Sequence, residues 1–414
     1  MYQLAGIFTM YFLRRLTLFS YFLFFSLISF SQRCYTYTYL QKHPVNASHL
    51  NAARNSTAAR DTMPNELITI PVVIHVIYNN SIQNISDEQI LSQLQSLNND
   101  YRRWNDDAGN TPAVFASVAA DTRITFGLAK SDPSGRPTRG IIRKYCKSLS
   151  WSADDGMKFS AQGGDNAWDS KRYLNIWVCN LSGSSLGYAT LPGSEADKDG
   201  VVIQYSAFGT TGTVAAPFNK GRTVTHEIGH WLGLKHTWGD AECGDDGIAD
   251  TPPQQTYNNG CVSFPHMSAC SANKNGDMFM NFMDFTDDAC MNMFTQGQKK
   301  EMRGQFASGG NRNSFLVSSS SDSARIQNGP ELNLKIPDEI AIYPNPATKF
   351  ISIQSNGENA AGKIFTIFDL LGNEVMTGTL LSQKNTVSID KLQQGVYIIK
   401  TSDATSRPLM FIKQ

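Results

Sequence analysis

One stretch of eleven residues, 226–236, constrains this chain more than any other feature. It reads His-Glu-Ile-Gly-His-Trp-Leu-Gly-Leu-Lys-His. A helix advances 3.6 residues per turn, so His226 and His230 project from one face and can bind the same metal ion. Gly233 lets the backbone leave the helix, which would bring His236 back as a third ligand. Three neutral nitrogens without a fourth protein ligand predict an open, catalytic zinc site rather than a closed structural one.

Glu227 follows the first of these histidines, where its carboxylate can reach a metal-bound water. The motif therefore predicts hydrolysis with Glu227 as the general base. The alternative is that these are core or surface histidines on an ordinary helix. The short form of the motif does occur by chance in unrelated helices, whereas the form with the glycine and the third histidine in register seldom does.

Charge and composition exclude several other functions. The 414 residues include 36 Lys+Arg and 36 Asp+Glu, which gives a formal net charge of zero. No basic excess or basic run indicates nucleic acid or an anionic membrane surface as a partner. Apolar residues make up 41% and charged residues 17% of the chain, as in an ordinary globular protein. This length is enough for two or three domains.

The N-terminus has the pattern of an export signal. A pair of arginines precedes an apolar stretch at residues 16–30, which is shorter than the roughly 20 residues of a membrane span. We expect a signal peptide over residues 1–31. The polar segment that follows, residues 32–60, is expected to be a pro-segment that is removed on activation.

Export also decides how the seven cysteines are interpreted. Four of them follow the zinc motif closely, and an oxidising destination makes disulfides the expected state of such a cluster. They are Cys243, Cys261, Cys270 and Cys290. Their spacing leaves all three pairings open. Cys34, in the pro-segment, is either a thiolate that occupies zinc's open position and keeps the protein latent, or an idle thiol. Cys146 and Cys179 are either a third disulfide or two buried thiols.

Hydrophobic patterns before the metal helix predict an α/β (α+β) layer arrangement. The β-branched run at 67–78 is a buried strand. A helix should begin after Ser86, which with Gln89 has the spacing of a capping box. Its apolar stripe runs from Ile90 to Trp104. Further strands are expected at 123–129, 173–179 and 200–205. This order predicts a twisted sheet backed by helices, one of which is the active-site helix.

The chain changes character after a serine-rich stretch. Residues 61–313 are expected to form the catalytic domain, residues 314–334 a flexible linker, and residues 335–414 a separate domain. Short alternating segments are found in that domain at 340–343, 350–354, 363–369, 373–378, 385–389, 395–401 and 407–413. They predict a small antiparallel β-sandwich. The domain has no His and no Cys, so no chemical constellation is expected there.

With Met283 included, the chain resembles the metzincin metallopeptidases. These enzymes share the long zinc motif and a downstream methionine turn that forms a hydrophobic floor under the metal. Within the metzincins the similarity is greatest to the pappalysin group, in particular to its secreted bacterial members. It is carried by residues 221–225, the zinc motif, residues 244–252 and residues 281–295. The resemblance extends over about residues 65–305.

This resemblance implies a secreted zinc endopeptidase that hydrolyses peptide bonds in proteins or peptides. Its zinc ligands would be the three motif histidines, with Glu227 as general base. The implied disulfides are Cys243–Cys270 and Cys261–Cys290. One position departs from the family pattern, because Phe285 replaces a tyrosine that usually binds zinc and donates a hydrogen bond in the transition state. The competing hypothesis is therefore a catalytically weakened zinc-binding surface protein or adhesin.

Acidic residues near the site have two interpretations each. The cluster after the zinc motif is either a solvated acidic loop or, as the resemblance implies, a calcium site, because calcium takes several oxygen ligands from a flexible loop. The candidate ligands are Asp245, Asp246, Asp250 and the Thr251 carbonyl. Asp287 and Asp288, beside the methionine turn, either line the S1′ pocket and attract a basic P1′ side chain or stabilise the turn.

The C-terminal domain resembles a type IX secretion sorting domain. The similarity rests on Tyr-Pro-Asn-Pro-Ala at 343–347, Asp-Leu-Leu-Gly at 369–372, Gln-Gly-Val-Tyr at 394–397 and the terminal Phe-Ile-Lys-Gln. Such domains are immunoglobulin-like sandwiches recognised by an outer-membrane export machinery. The resemblance thus implies that machinery as a partner and a location outside a Gram-negative cell, either secreted or on the outer-membrane surface. A generic β-sandwich binding module is the alternative. We expect the protein to be a monomer.

Overall fold

The computed structural model describes residues 33–44, 66–270, 275–316, 340–343, 347–355, 361–369, 373–382, 384–402 and 409–414. The expected signal peptide (1–31) lies outside the described residues, as do most of the linker and much of the pro-segment. Those predictions therefore stay untested. Two compact units, Met1–Asp322 and Ser323–Gln414, make up the chain. Among the described helices none is long and apolar enough to span a membrane.

The first unit alternates strands and helices. Its α-helices are α1 (Thr36–Lys42), α2 (Asp87–Tyr101), α3 (Ala113–Ala116), α4 (Arg222–Trp231) and α5 (Gln296–Gly304). Its strands are β1 (Ile68–Tyr78), β2 (Ile124–Leu128), β3 (Ile141–Tyr145), β4 (Leu174–Cys179), β5 (Gly187–Ala189) and β6 (Val201–Gln204). The predicted strands all occur, with ends within a residue or so of the expected ones, while β3 and β5 were not predicted.

These strands form one sheet in the order β2-β1-β4-β6-β5. The long strand β1 pairs with β2 along its first half and with β3 along its second half. All pairings are parallel except that of β5, which runs antiparallel to β6 at the edge. Every residue of β4 is buried, as expected for a parallel sheet that is covered on both faces. The predicted mixed α/β sheet is therefore confirmed.

Helices α2 and α4 pack against this sheet and share its largest hydrophobic core. Helix α2 begins as predicted, because the Ser86 side chain accepts a hydrogen bond from the Gln89 backbone N–H. The second half of the expected capping box is absent. The Gln89 amide instead donates to the carbonyl oxygens of Tyr205 and Phe208, which ties the helix to the segment after β6.

The apolar stripe of α2 ends earlier than predicted. The helix stops at Tyr101, which is fully buried, whereas Trp104 is 59% exposed. Arg103, which lies between them, has a left-handed backbone with φ of 53° and turns the chain away from the core. The Arg102 guanidinium covers the indole at 4.2 Å. The prediction that Trp104 faces the core is therefore wrong.

The second unit is built from short strands. They are β7 (Ile340–Tyr343), β8 (Phe350–Ser355), β9 (Ile364–Phe368), β10 (Glu374–Thr379), β11 (Lys384–Ser388), β12 (Gly395–Thr401) and β13 (Leu409–Lys413). They form two sheets, β10-β9-β12-β13 and β11-β8-β7, in which all strand pairs are antiparallel. Side chains from both sheets meet in one core. The all-β prediction is confirmed, and the immunoglobulin-like topology stays a prediction.

Candidate metal centre

Helix α4 and the turn after it bring the three motif histidines together. All three are buried, and Nε2 of His230 lies 3.1 Å from Nε2 of His226 and 3.0 Å from Nε2 of His236. Gly233 makes the reversal with φ of 94°, a backbone conformation that favours glycine. A Cβ at this position would also lie only 2.9 Å from the Gln305 side-chain nitrogen. The spacing seen in the sequence therefore produces a convergent set of ring nitrogens.

Each of these histidines is oriented by a hydrogen bond through its other ring nitrogen. The acceptor of each Nδ1 hydrogen bond is the Phe282 carbonyl for His226 (2.7 Å), the Leu234 carbonyl for His230 (2.9 Å) and the Asp240 carboxylate for His236. Because a carbonyl oxygen can only accept, Nδ1 carries the proton and Nε2 presents a lone pair. Burial lowers the pKa of His230 to about 3 and that of His226 well below its ordinary value. The rings of His226 and His230 are therefore neutral.

Three imidazole lone pairs that point at one position repel one another unless a cation lies between them. Three histidine nitrogens of this kind, each oriented by a second hydrogen bond, are the donor set of a catalytic zinc site. Among the described residues, one group of His, Cys, Asp and Glu side chains is arranged to hold a metal: these three histidines and Cys34, with ligand atoms within 4.8 Å of one another. The residues thus fit a metal ion.

A methionine turn lies under the histidines. Met283 is fully buried, and a Cβ at Gly229 of helix α4 would come within 2.4 Å of its sulfur, so the glycine leaves room for this side chain. The next residue fixes the turn. The Asp284 carboxylate accepts hydrogen bonds from the backbone and side chain of Asn258 and from the Gln254 side chain, each at 2.8 Å. Hydrogen bonds from the loop that contains Gln254 and Asn258 therefore hold the turn in place.

The N-terminal segment closes the front of the site. Cys34 is buried, and its sulfur lies 3.5 Å from Oε2 of Glu227. The Thr36 hydroxyl donates to the same carboxylate oxygen at 2.9 Å. The other oxygen of Glu227, Oε1, is buried and has no hydrogen-bond partner among the described residues. Burial raises the pKa of Glu227 to about 8. A carboxylate with one unsatisfied oxygen beside three ligand nitrogens can accept a proton from a molecule bound there.

Arg33, the residue before this cysteine, binds one member of the predicted acidic pair. Its Nη2 lies 2.8 Å from Oδ1 of Asp288, and its Nη1 donates to the Thr286 carbonyl at 2.7 Å. Asp288 is fully buried, and its other oxygen accepts hydrogen bonds from two backbone N–H groups at the start of α4. Asp287 is partly exposed, and burial raises its pKa. The buried carboxylate of the pair is therefore the one that holds a guanidinium.

Phe285 lies beside the ligands. Its ring centroid is 5.6 Å from that of His226 and 4.9 Å from that of His236. It packs with Cys34 and Trp238 in a small apolar cluster. The position thus has the contacts of a site residue but lacks a hydroxyl group that could donate a hydrogen bond.

The candidate calcium ligands make separate local contacts. The Asp246 carboxylate accepts hydrogen bonds from the Thr251 hydroxyl and the Ile248 N–H. The Asp250 carboxylate accepts from the Thr295 hydroxyl and the Gly297 N–H. The Asp245 carboxylate accepts from the Gly247 N–H. Burial raises the pKa of Asp246 to about 7. Asp250 therefore anchors the start of helix α5, and the calcium site stays a prediction.

Two disulfides fasten the loops between helix α4 and the methionine turn. They join Cys243 to Cys270 and Cys261 to Cys290, with sequence separations of 27 and 29 residues. This is the pairing implied by the resemblance. Cys146 and Cys179 are free, buried thiols, which is the second of the two alternatives for this pair.

Comparison with known proteins decides the family. Residues 159–307 match the Peptidase_M43 family, described as pregnancy-associated plasma protein-A. An extracellular metalloprotease of Verticillium alfalfae is 30% identical over 262 residues, which are 61% of this chain and 82% of that protein. The chain belongs to this family. It is also similar to mature mirolysin of Tannerella forsythia in complex with a cleaved peptide, at 51% identity and a TM-score of 0.61 over 62% of this chain and 98% of that one.

The similarity also covers a pro-form and the C-terminal unit. A promirolysin mutant of Tannerella forsythia is 45% identical, with a TM-score of 0.65 over 70% of this chain and 99% of that one. Residues 341–410 match the secretion system C-terminal sorting domain. The protein is therefore a metalloendopeptidase with a catalytic metal, typically zinc, and is secreted or displayed at the cell surface.

Two site residues were not predicted from the sequence. Arg33 and Thr36 flank Cys34, yet they contact partners 255 and 191 positions away. The only local signal was their position beside a cysteine in an otherwise polar segment. Contacts between residues so far apart in the sequence depend on how the N-terminal segment crosses the folded domain. No periodic pattern of residues in the sequence reveals that path.

Proposed function

We propose that this protein is a zinc endopeptidase produced in a latent form, with Glu227 as its general base and a preference for basic P1′ residues. One observation carries the proposal: three histidine lone pairs converge beside a buried carboxylate that has an unsatisfied oxygen. His226, His230 and His236 would hold the ion. Zinc, when bound, polarises a carbonyl group and lowers the pKa of a bound water towards neutrality.

Glu227 is positioned to move the proton. It follows His226 on helix α4, beside the converging ring nitrogens, so its carboxylate could take up a proton from a bound water and release it to the departing amine. In the closed form burial raises the pKa of Glu227 to about 8, because a carboxylate out of water is more basic. The residue would be freed for this role once Thr36 and Cys34 leave its second oxygen.

Strand β5 offers a backbone partner for a substrate. Its Gly187 carbonyl accepts from the Tyr35 N–H at 2.9 Å, and its Ala189 N–H donates to the Thr36 hydroxyl at 2.9 Å. An extended substrate segment can pair with the same edge when the N-terminal segment is gone. Main-chain pairing would then give affinity, while side-chain pockets give specificity.

The first experiment tests the general base. The Glu227→Gln variant should retain one zinc per chain by metal analysis and lose activity on casein by about a thousandfold, the usual size of a general-base contribution. Chelation of the wild-type enzyme should abolish activity, and added zinc should restore it. Proteolysis by the variant at more than a tenth of the wild-type rate would contradict the role of Glu227.

Latency is assigned to Cys34, because its thiol lies among the ligand nitrogens and can take the fourth coordination position. The Cys34→Ala variant of the unprocessed chain should cleave a reporter peptide at once, whereas the wild-type chain should show a lag. Cys146→Ala is the matched control, since this buried thiol is not among the candidate ligand atoms and should leave the lag unchanged. Equal lags in all three proteins would contradict the switch.

The basic P1′ preference rests on Asp288, which holds the Arg33 guanidinium. An arginine of the substrate would replace Arg33 in that pocket. In a peptide library, Asp288→Asn should reduce the preference for Arg over Ala at P1′ by on the order of tenfold, because a charge-assisted hydrogen bond is lost. Asp287→Asn, which changes the partly exposed neighbour, should keep the preference. The reverse result would move the pocket to Asp287.

Calcium and oligomeric state are further parts of the proposal. A calcium ion in the loop around Asp245, Asp246, Asp250 and the Thr251 carbonyl would raise the melting temperature of the first unit. An added chelator selective for calcium should then lower it, and an unchanged transition would remove calcium from the proposal. Sedimentation of the activated enzyme should give the mass of one chain.

A further inference from the structure

A buried polar cluster lies on the face of strand β5 that is turned away from the metal. A Cβ at Gly187 would lie 3.1 Å from the Glu227 side chain, so Gly187 faces the metal helix. Successive residues of a strand point to opposite faces, which places the Tyr188 side chain on the other side of the sheet. Asp155, Lys158 and Tyr188 are buried there, each 2% exposed or less.

Helix α1 of the N-terminal segment covers this cluster with one side chain. The Tyr39 hydroxyl donates to Oδ2 of Asp155 at 2.5 Å. The other oxygen, Oδ1, accepts from the Tyr188 hydroxyl at 2.9 Å and lies 2.8 Å from the Lys158 ammonium. Lys158 also donates to the Lys198 carbonyl at 2.7 Å. Oδ1 is thus fully engaged by the protein body, whereas Oδ2 depends on the phenol that α1 brings.

The side chains around Tyr39 form a site suited to an aromatic ring. Its centroid lies 4.9 Å from that of Tyr188, and the Lys158 ammonium lies 5.8 Å from it. A cavity of about 390 Å³ lies beside the helix, between Tyr35, Lys42 and His43 on one side and residues 152–154 and 182–185 on the other. Helix α1 therefore fills only part of the depression in which it lies.

We propose that the place now filled by the Tyr39 ring, beside Asp155, Lys158 and Tyr188, is a substrate subsite of the activated enzyme that takes a tyrosine side chain. We call this place the Asp155 pocket. The inference rests on the proposed function, since the pocket opens only when the N-terminal segment leaves. Oδ2 of Asp155 then lacks its hydroxyl donor while the ring-binding walls remain. A lysine or arginine fits less well than a phenol, because the Lys158 ammonium already neutralises Asp155 and repels a second cation.

The pocket lies along the strand with which a substrate would pair. Tyr35, four residues before Tyr39, hydrogen-bonds to Gly187, and the next residue of β5 forms the pocket wall. A peptide held by the edge of β5 can therefore reach both the metal centre and the Asp155 pocket. The subsite would select substrates by a residue several positions from the cleaved bond.

The experiment uses the activated enzyme and peptides that carry the same cleavage site. One residue on the non-primed side is varied among Tyr, Phe, Ala and Lys, and the varied position is moved along the peptide. At one position Tyr should exceed Phe in kcat/KM by about tenfold, the value of one hydrogen bond to a charged group. Binding of the same peptides to the Glu227→Gln variant, measured by fluorescence anisotropy, should show the same ratio without turnover.

Two variants and one control variant locate the effect. Asp155→Asn should bring the Tyr-to-Phe ratio to about one, while Asp154→Asn, at the neighbouring carboxylate, should keep it. Lys158→Met removes the ammonium and should shift the preference from Tyr towards Lys, which a purely structural role for the cluster would not produce. This second variant keeps the test decisive where Asp155→Asn fails to fold.

The outcomes separate the two proposals. Failure of the wild-type enzyme to cleave any of the four peptides would overturn the proposed function. Cleavage of all four peptides at equal rates at every position would overturn only the subsite. So would a Tyr preference that survives in both Asp155→Asn and Lys158→Met.

Discussion

The two units of the chain bury different kinds of side chain. The first unit buries carboxylates, guanidinium groups and imidazoles, of which Arg312 is the last along the described chain. Every buried residue that is described in the second unit is hydrophobic, from Ala347 to Phe411. A buried polar group is costly unless it is paired, so the first unit depends on a network of specific partners and the second on packing. The contrast indicates that the first unit is built to position chemistry and the second to be recognised through its surface.

The largest effect should come from breaking the network of the first unit. Arg222 of helix α4 donates to Asp107 and to the Met291 carbonyl and lies 3.3 Å from Asp100. Arg222→Met leaves the buried Asp100 carboxylate without its cation and should destabilise the first unit by about 4 kcal/mol. Thermal unfolding should show a shift of that unit's transition alone. A loss below about 1 kcal/mol would show that the network does not control stability.

A packing defect should have a somewhat smaller effect in the second unit. Ile367 of β9 is fully buried in its core, and Ile367→Ala should cost about 3 kcal/mol, the usual price of such a cavity. Ile364→Ala, on the same strand but 50% exposed, is the control and should cost far less. Urea unfolding followed separately for the two units measures both. Equal losses would mean that the second unit is not held by its core.

A polar atom added to the metal centre should change activity rather than stability. Phe285→Tyr places a hydroxyl near His226 and His236, where it can donate to charge that develops in the transition state. We expect kcat to rise by roughly tenfold. Phe279→Tyr, at another buried ring of the same region, should not raise it. A fall in kcat for Phe285→Tyr would show that the apolar cluster with Cys34 and Trp238 is itself required.

The smallest effect on catalysis should follow removal of the second unit. Deleting residues 323–414 should leave kcat/KM of the activated enzyme within about twofold and the first unit's stability within about 0.5 kcal/mol, the range of changes away from a core. The same deletion should prevent delivery outside the cell, measured by activity in the medium of a producing strain. Normal delivery of the truncated chain would contradict the sorting role.

Prediction from the sequence succeeded where a signal is local. The spacing of His226, His230 and His236 predicted the cluster of histidines that the structure shows. Period-two patterns located the strands of the second unit to within two residues. It failed where tertiary context decides. Strand β5 has three residues, Gly-Tyr-Ala, without any periodicity, and Trp104 follows the helical spacing but lies beyond the helix end. The contacts of Arg33 and Thr36 join distant parts of the chain and leave no trace in either segment.

The Thr36 hydroxyl makes two hydrogen bonds while the N-terminal segment covers the site. The Thr36 side chain accepts from the Ala189 N–H and donates to Glu227, so it connects the sheet edge to the base through a single oxygen atom. In the proposed activation, withdrawal of that oxygen would leave the Ala189 N–H without its acceptor and Glu227 without one of its donors in the same step. Exposure of the strand edge to a peptide and release of the proposed base would thus be coupled through one atom.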